Sequence, residues 1–170
     1  MPEASPLGLL GGTFDPVHHG HLRLAEEARE ALDLAEVRWL PAGRPPHREA
    51  PRVSAAHRLE MVRRAVADNP AFTVDDAETR VEAPSYSVTT LERLRAGMGG
   101  RPLVLLMGAD AFLGLATWHR WRELFSLAHI GVAARPGFEL SPEALPAELA
   151  GACADRLGAE VDDPELLDLE

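Results

Sequence analysis

Apolar positions along the chain follow two rhythms that take turns. Leu7-Gly8-Leu9-Leu10 is a short apolar run closed by Gly11-Gly12, which predicts a buried strand. From His19 to Leu34 the apolar residues Leu22, Ala25, Ala28, Ala31 and Leu32 recur at helical spacing, with Glu and Arg between them. Val37 to Leu40 predicts a second strand, ending at Pro41. The segment 42–53, AGRPPHREAPRV, is rich in Pro and Arg and predicts a loop. Ser54 is placed to cap a helix that continues through Leu59, Val62 and Val66. Phe72 to Val74 predicts a strand, and Ser87 to Leu94 opens a further helix. Leu103 to Met107 is the cleanest buried strand and stops at Gly108. A helical stretch spanning Trp118 to Phe125 leads to a strand at Ile130 to Ala134, which runs into Arg135-Pro136-Gly137. Ser141-Pro142-Glu143 has the form of a helix start, and the acidic residues from Asp162 to Glu170 read as a linker or fraying end.

Strands alternating with helices imply an α/β fold, with a parallel sheet covered on both faces. Such sheets bind ligands outside the carboxyl ends of their strands, at a topological switch point. The segments to watch are therefore 11–18, 41–53, 108–118 and 135–137. Neither an internal repeat nor a low-complexity segment is visible, and 170 residues suit a single domain over 1–170.

Composition narrows the chemistry. Apolar residues make up 46% of the chain, enough for a real core. The single cysteine, Cys153, excludes an internal disulfide and a Cys-rich zinc site. Without a signal-like N-terminus or a membrane-length apolar run, the expected location is cytoplasmic, with no membrane partner. The net charge of −10 disfavours a nucleic-acid partner bound through a broad basic surface. Every fixed positive charge is arginine, so a phosphate-loop lysine is excluded. Any phosphate must be held by Arg, His, backbone N–H groups or a metal.

The stretch 11–21, GGTFDPVHHGH, is where that chemistry concentrates. Gly11-Gly12 lets backbone N–H groups approach a ligand closely. Asp15-Pro16 sets a turn. A helix beginning near His18 would aim its unbonded N–H groups and positive dipole end at the same place, which attracts phosphate. His18 and His21 are three apart and would share a helix face, with His19 pointing elsewhere. Two imidazoles there can donate hydrogen bonds to phosphate oxygens. The spacing is not that of a GxGxxG dinucleotide loop.

With these residues in hand, the chain resembles the nucleotidyltransferases that carry an [H/T]xGH motif, with His18-His19-Gly20-His21 in that role. Within that superfamily it is similar to the bacterial nicotinate-nucleotide adenylyltransferases. The matching stretches are PAGRPPHR at 41–48, PSYSVTTL at 84–91, MGAD at 107–110, TWHRW at 117–121 and ARPG at 134–137. They occur in the family's order and cover nearly the whole chain. The resemblance implies a Rossmann-like doubly wound parallel sheet of the nucleotidyltransferase type. It implies ATP and nicotinate mononucleotide as partners, deamido-NAD and pyrophosphate as products, and Mg²⁺ bound with ATP. No covalent intermediate is implied, since the mononucleotide phosphate attacks the α-phosphorus directly.

By the same resemblance, His18 and His21 would be catalytic. Gly11, Gly12, Thr13, Phe14, His18, His21, Gly108, Asp110 and Arg135 would meet ATP. Thr13, His47, Arg48, Ser85, Tyr86, Thr90 and Trp118 would meet the mononucleotide, with Trp118 stacking on the pyridine ring. The chain supplies no metal site of its own. The family carries a further Ser/Thr- and Arg-containing motif for the β- and γ-phosphates beyond the last strand. The stretch PELLDLE stands where it would begin, so that anchor is expected to be missing from residues 1–170.

Plainer readings stand beside these. His19, His57 and His129 read as incidental or structural, and Trp121 reads as core. Asp110 could equally cap the next helix. Two other functions fit part of the pattern. One is a different adenylyl- or cytidylyltransferase, such as pantetheine-phosphate adenylyltransferase. The other is a nucleotide-binding module with impaired catalysis. Homo-oligomerisation is left open.

Overall fold

The computed structural model describes residues 4–46, 49–134 and 142–154. Five strands form one wholly parallel sheet: β1 (Leu7–Gly12), β2 (Glu36–Pro41), β3 (Phe72–Val74), β4 (Leu103–Gly108) and β5 (His129–Ala133), in spatial order β3-β2-β1-β4-β5. The helices are α1 (His19–Ala31), α2 (Ala55–Val66), α3 (Ser87–Met98), α4 (Ala109–Leu113), α5 (Trp121–Leu127) and α6 (Ala147–Cys153). Chain order runs outward from β1 to β3 on one side, then returns past β1 to β4. This is the doubly wound arrangement that the alternation predicted, with its switch point between β1 and β4.

Period-2 alternation divides the strand side chains between two cores. Leu7, Leu9, Leu40, Leu103, Leu105 and Met107 join Val88, Leu91, Leu94, Trp121, Leu124 and Leu149 on the face covered by α3, α5 and α6. Leu10, Val37, Trp39, Val104 and Leu106 join Ala25, Ala28, Val62 and Val66 on the face covered by α1 and α2. The small Ala25 and Ala28 are the buried residues of α1 and let that helix lie close to the sheet. The α2 face reads Arg58, Val62, Val66, an apolar stripe that opens with an arginine.

Several boundaries differ from the sequence reading. Trp118 is not helical. It ends a 3-10 turn over Leu115–Thr117, and α5 starts only at Trp121, so the two tryptophans do not share a helix face. Pro142–Ala144 is a 3-10 turn and α6 begins after Pro146, with Ser141 outside the described residues. The 108–118 segment contains the short helix α4, which the sequence reading did not predict. A 3-10 turn over Ala77–Arg80 carries no apolar periodicity and none of its residues is buried in the core, so no pattern announced it. Ser54 does cap α2, accepting from the His57 N–H at 3.3 Å.

Candidate active site

β1 and β4 are adjacent, and their following segments diverge at Gly12 and Gly108. The crevice between them is the expected ligand site. On the β1 side the chain reverses at Phe14, whose φ of 51° is in the left-handed region that a bulky residue rarely adopts. The reversal drives the Phe14 ring into the core. It is 2% exposed, lies 5.4 Å from the Trp39 ring and meets the His21 ring edge-on at 5.0 Å. Backbone strain of this kind persists only where surrounding packing over-determines it.

The two histidines meet differently from the helix-face picture. His18 is the N-cap, with extended backbone, and α1 starts at His19. Gly20 N–H donates to His18 Nδ1 at 3.2 Å, and His18 N–H donates to His21 Nδ1 at 3.1 Å. This is a reciprocal capping box in which two imidazoles replace the usual hydroxyl and carboxylate. The rings stack at 3.8 Å between centroids, tilted by 28°. Because each Nδ1 accepts a backbone N–H, the ring proton is assigned to Nε2 in both residues. The helix start thus sets both tautomers. Gly20 leaves room for this arrangement: a Cβ there would lie 3.0 Å from the His18 ring, a tight contact that would press the ring away from the first turn.

On the β4 side, Gly108 caps α4 with no side chain of its own, and Asp110 is exposed in the first turn. Ala109 and Phe112 anchor α4 in the core. Trp118 is half-buried against the core, and the neighbouring His119 ring lies 4.4 Å from Tyr86. Tyr86 leads into α3 and supplies no side-chain cap to its first N–H groups.

A third segment joins these parts. Ala42 N–H donates to Gly12 O at 2.8 Å. Gly43 and Arg44 N–H groups both point at Ser85 Oγ, at 3.2 and 3.4 Å, and Ser85 N–H returns a bond to Arg44 O at 2.9 Å. Gly43 passes so close to the 77–80 turn that a Cβ would sit 2.2 Å from Glu78 O. The Ser85 hydroxyl and the buried Thr90 also hydrogen-bond the Glu78 carboxyl. Burial pushes that carboxyl up to about 7 despite those bonds and the nearby Arg93.

The structure therefore brings Gly11, Gly12, Thr13, Phe14, His18 and His21 to the end of β1, and Gly108 and Asp110 to the end of the adjacent β4. Ser85, Tyr86 and Thr90 lie at the start of α3, and Trp118 is linked to them through its neighbour His119, whose ring meets Tyr86. Thr90 is buried and Ser85 is spent on the 42–44 segment, so what α3 offers outward is backbone and the Tyr86–His119 pair. His47, Arg48 and Arg135 lie outside the described residues. Sequence reasoning missed Glu78, His119 and Arg58. For Arg58 a signal existed, since it occupies the apolar stripe of α2.

The Cytidylyltransferase-like family model matches residues 9–158. A relative from Dechloromonas aromatica, named "Probable nicotinate-nucleotide adenylyltransferase", is 60% identical over 93% of this chain and 73% of its own length. This chain belongs to the nicotinate-nucleotide adenylyltransferases. An identically named member from Aeromonas hydrophila is 51% identical over 93% of this chain and 72% of its own. The nicotinic acid mononucleotide adenylyltransferase of Plasmodium falciparum, solved with NaAD, shares the fold with a TM-score of 0.72 at 14% identity. It matches over 82% of this chain and 69% of its own. The Vibrio parahaemolyticus structure described as "a Putative Nicotinate-nucleotide Adenylyltransferase" gives 0.64 at 13% identity, over 89% of this chain and 93% of its own. Among the described residues, no helix of this family member is long and apolar enough to cross a membrane.

Proposed function

We propose that this chain joins ATP and nicotinate mononucleotide into deamido-NAD at the crevice between β1 and β4, with His18 and His21 as its catalytic donors. A phosphate oxygen of the mononucleotide attacks the α-phosphorus of ATP. The new P–O bond forms as the bond to the β-phosphate bridging oxygen breaks, and pyrophosphate leaves with that electron pair. The attacking phosphate needs no deprotonation, so the histidines serve as hydrogen-bond donors and not as bases. Catalysis of this kind is positioning plus neutralisation of developing charge. The observation that carries the reading is the imidazole capping box, since it leaves each Nε2 as the proton-bearing nitrogen beside a helix N-terminus.

Backbone N–H groups at Gly12, Thr13 and Phe14 would line the junction, and Gly108 with Asp110 would meet the ribose. Arg135 would lie by the adenine and phosphates. Trp118 and Tyr86 would hold the pyridine ring, whose carboxylate suits the start of α3. His47 and Arg48 would meet the mononucleotide phosphate. Among the described residues no three His, Cys, Asp or Glu side chains converge on a common point that could hold a metal. A Mg²⁺ ion, which keeps its waters and favours phosphate oxygens, fits here as an ATP complex rather than in a protein cage. It would neutralise charge on the triphosphate.

The test is an acceptor panel. Purified protein with ATP and Mg²⁺ is offered nicotinate mononucleotide, nicotinamide mononucleotide and phosphopantetheine, and product and pyrophosphate are quantified. Deamido-NAD with equimolar pyrophosphate is expected. Preferred use of phosphopantetheine would reassign the substrate, and tight nucleotide binding without product would mark an impaired binding module.

A further inference from the structure

Arg58 is 1% exposed, yet no hydrogen-bonded carboxylate pairs with it. Its guanidinium bonds four backbone carbonyls from three separate segments. Nε donates to Val53 O at 3.0 Å, Nη1 to Thr13 O at 2.7 Å and Ala42 O at 2.6 Å, and Nη2 to Gly43 O at 3.0 Å. Asp15 is the neighbouring acid. A buried cation with no hydrogen-bonded carboxylate is costly, and a hydrophobic residue of similar size on the α2 stripe would serve packing better. What an apolar residue cannot do is hold peptide planes.

A trans peptide points its C=O and N–H in opposite directions. Turning Ala42 O and Gly43 O toward Arg58 turns the N–H groups of Gly43 and Arg44 away from it, and both are found on Ser85 Oγ. The same geometry applies at Thr13. With Thr13 O on Arg58, the Phe14 N–H faces away from α2. Phe14 is the residue whose left-handed backbone carries the chain toward His18 and His21.

We propose that Arg58 is a positioning residue for adenylyl transfer. Its four carbonyl bonds fix the peptide plane between Thr13 and Phe14, and the 42–44 segment beside it, so that the Phe14 N–H and the paired histidines converge on the transferring phosphoryl group. This rests on the reaction proposed above. A lysine at the same place has one donor centre and cannot span four acceptors in a plane. Misplacing a donor by about an ångström costs up to ~100-fold in rate.

The experiment compares wild type, Arg58→Lys and Val62→Ala, the last being a core truncation on the same face of α2. Each is assayed with ATP and nicotinate mononucleotide well below its melting midpoint, and kcat is normalised to folded protein. Arg58→Lys is expected to lose about 10- to 100-fold in kcat, with both KM values within about threefold of wild type. Val62→Ala is expected to lose stability while keeping kcat. Wild-type kcat in Arg58→Lys overturns the proposal, as does a loss confined to KM. An equal kcat loss in Val62→Ala overturns it too, by tracing the effect to stability. Should Arg58→Lys not fold, Arg58→Gln at reduced temperature is read against the same outcomes. A wild-type protein that prefers another phosphate acceptor overturns the substrate reading alone, and the same three-way comparison is then read with that acceptor.

Discussion

Replacing Glu78 by glutamine removes one charge from beneath the start of α3 and leaves the shape nearly unchanged. Glu78 bonds Thr90 and Ser85, with Arg93 and Asp75 as its charged neighbours, and burial pushes its carboxyl from the ordinary 4.5 to about 7. The folded state therefore holds a proton between those two values that the unfolded chain has released. Stability from this site is fully present below about pH 4.5 and is lost as pH rises through about 7. That interval corresponds to about 3 kcal/mol, or roughly 6–12 °C in melting midpoint for a domain of this size. In paired chemical-denaturation curves, Glu78→Gln and wild type should lie within about 1 kcal/mol of each other near pH 5. By pH 8 the variant should be the more stable, by up to about 3 kcal/mol. Curves that run parallel from pH 5 to pH 8, or a variant less stable at pH 8, would refute the claim that this carboxyl is buried against its own ionisation.

Gly43→Ala forces a methyl group against the main-chain oxygen of Glu78, which no side-chain rotation relieves. We expect a loss of about 1–3 kcal/mol in urea unfolding, and an unchanged midpoint would contradict the packing at that turn. Nicotinate mononucleotide should outcompete the nicotinamide form in mixed-substrate assays, because the α3 start has no side-chain cap and favours a carboxylate; equal specificity constants would count against that pocket. Chelation with EDTA should stop turnover and added Mg²⁺ restore it, with no change in melting midpoint, since no donor cluster among the described residues ties metal to folding. A midpoint that falls on chelation would contradict this.

Much of this architecture was legible in the sequence because it rests on local patterns. The runs at Leu7–Leu10 and Leu103–Met107 are strands in the central positions, and the parallel order follows from helices between them. The HHGH stretch was legible as a candidate phosphate site, yet its geometry was not. Periodicity predicts a shared helix face, whereas His18 stands outside the helix and meets His21 through reciprocal capping. Nothing in a hydrophobic pattern distinguishes an N-cap imidazole from a first-turn one. Trp118 was misplaced for a related reason. TWHRW reads as helix by composition, but Arg120 adopts a left-handed backbone and α5 starts after it. Glu78 and Ser85 were opaque because their roles depend on long-range contact with Gly43, and contacts of that range leave no local periodicity. Arg58 was visible only as an exception in an apolar stripe.

The central claim is that the Nε2–H groups of His18 and His21, held by a capping box, act on the transferring phosphoryl group. His18→Asn separates the two duties, because asparagine is a good N-cap but has no donor at the Nε2 position. The measurement is the single-turnover rate of deamido-NAD formation on folded protein, taken beside thermal unfolding. The account predicts an unfolding free energy within about 1 kcal/mol of wild type and a rate lowered by roughly 30- to 1000-fold, as for loss of one transition-state donor. A fully folded His18→Asn protein that forms deamido-NAD at the wild-type rate would contradict it.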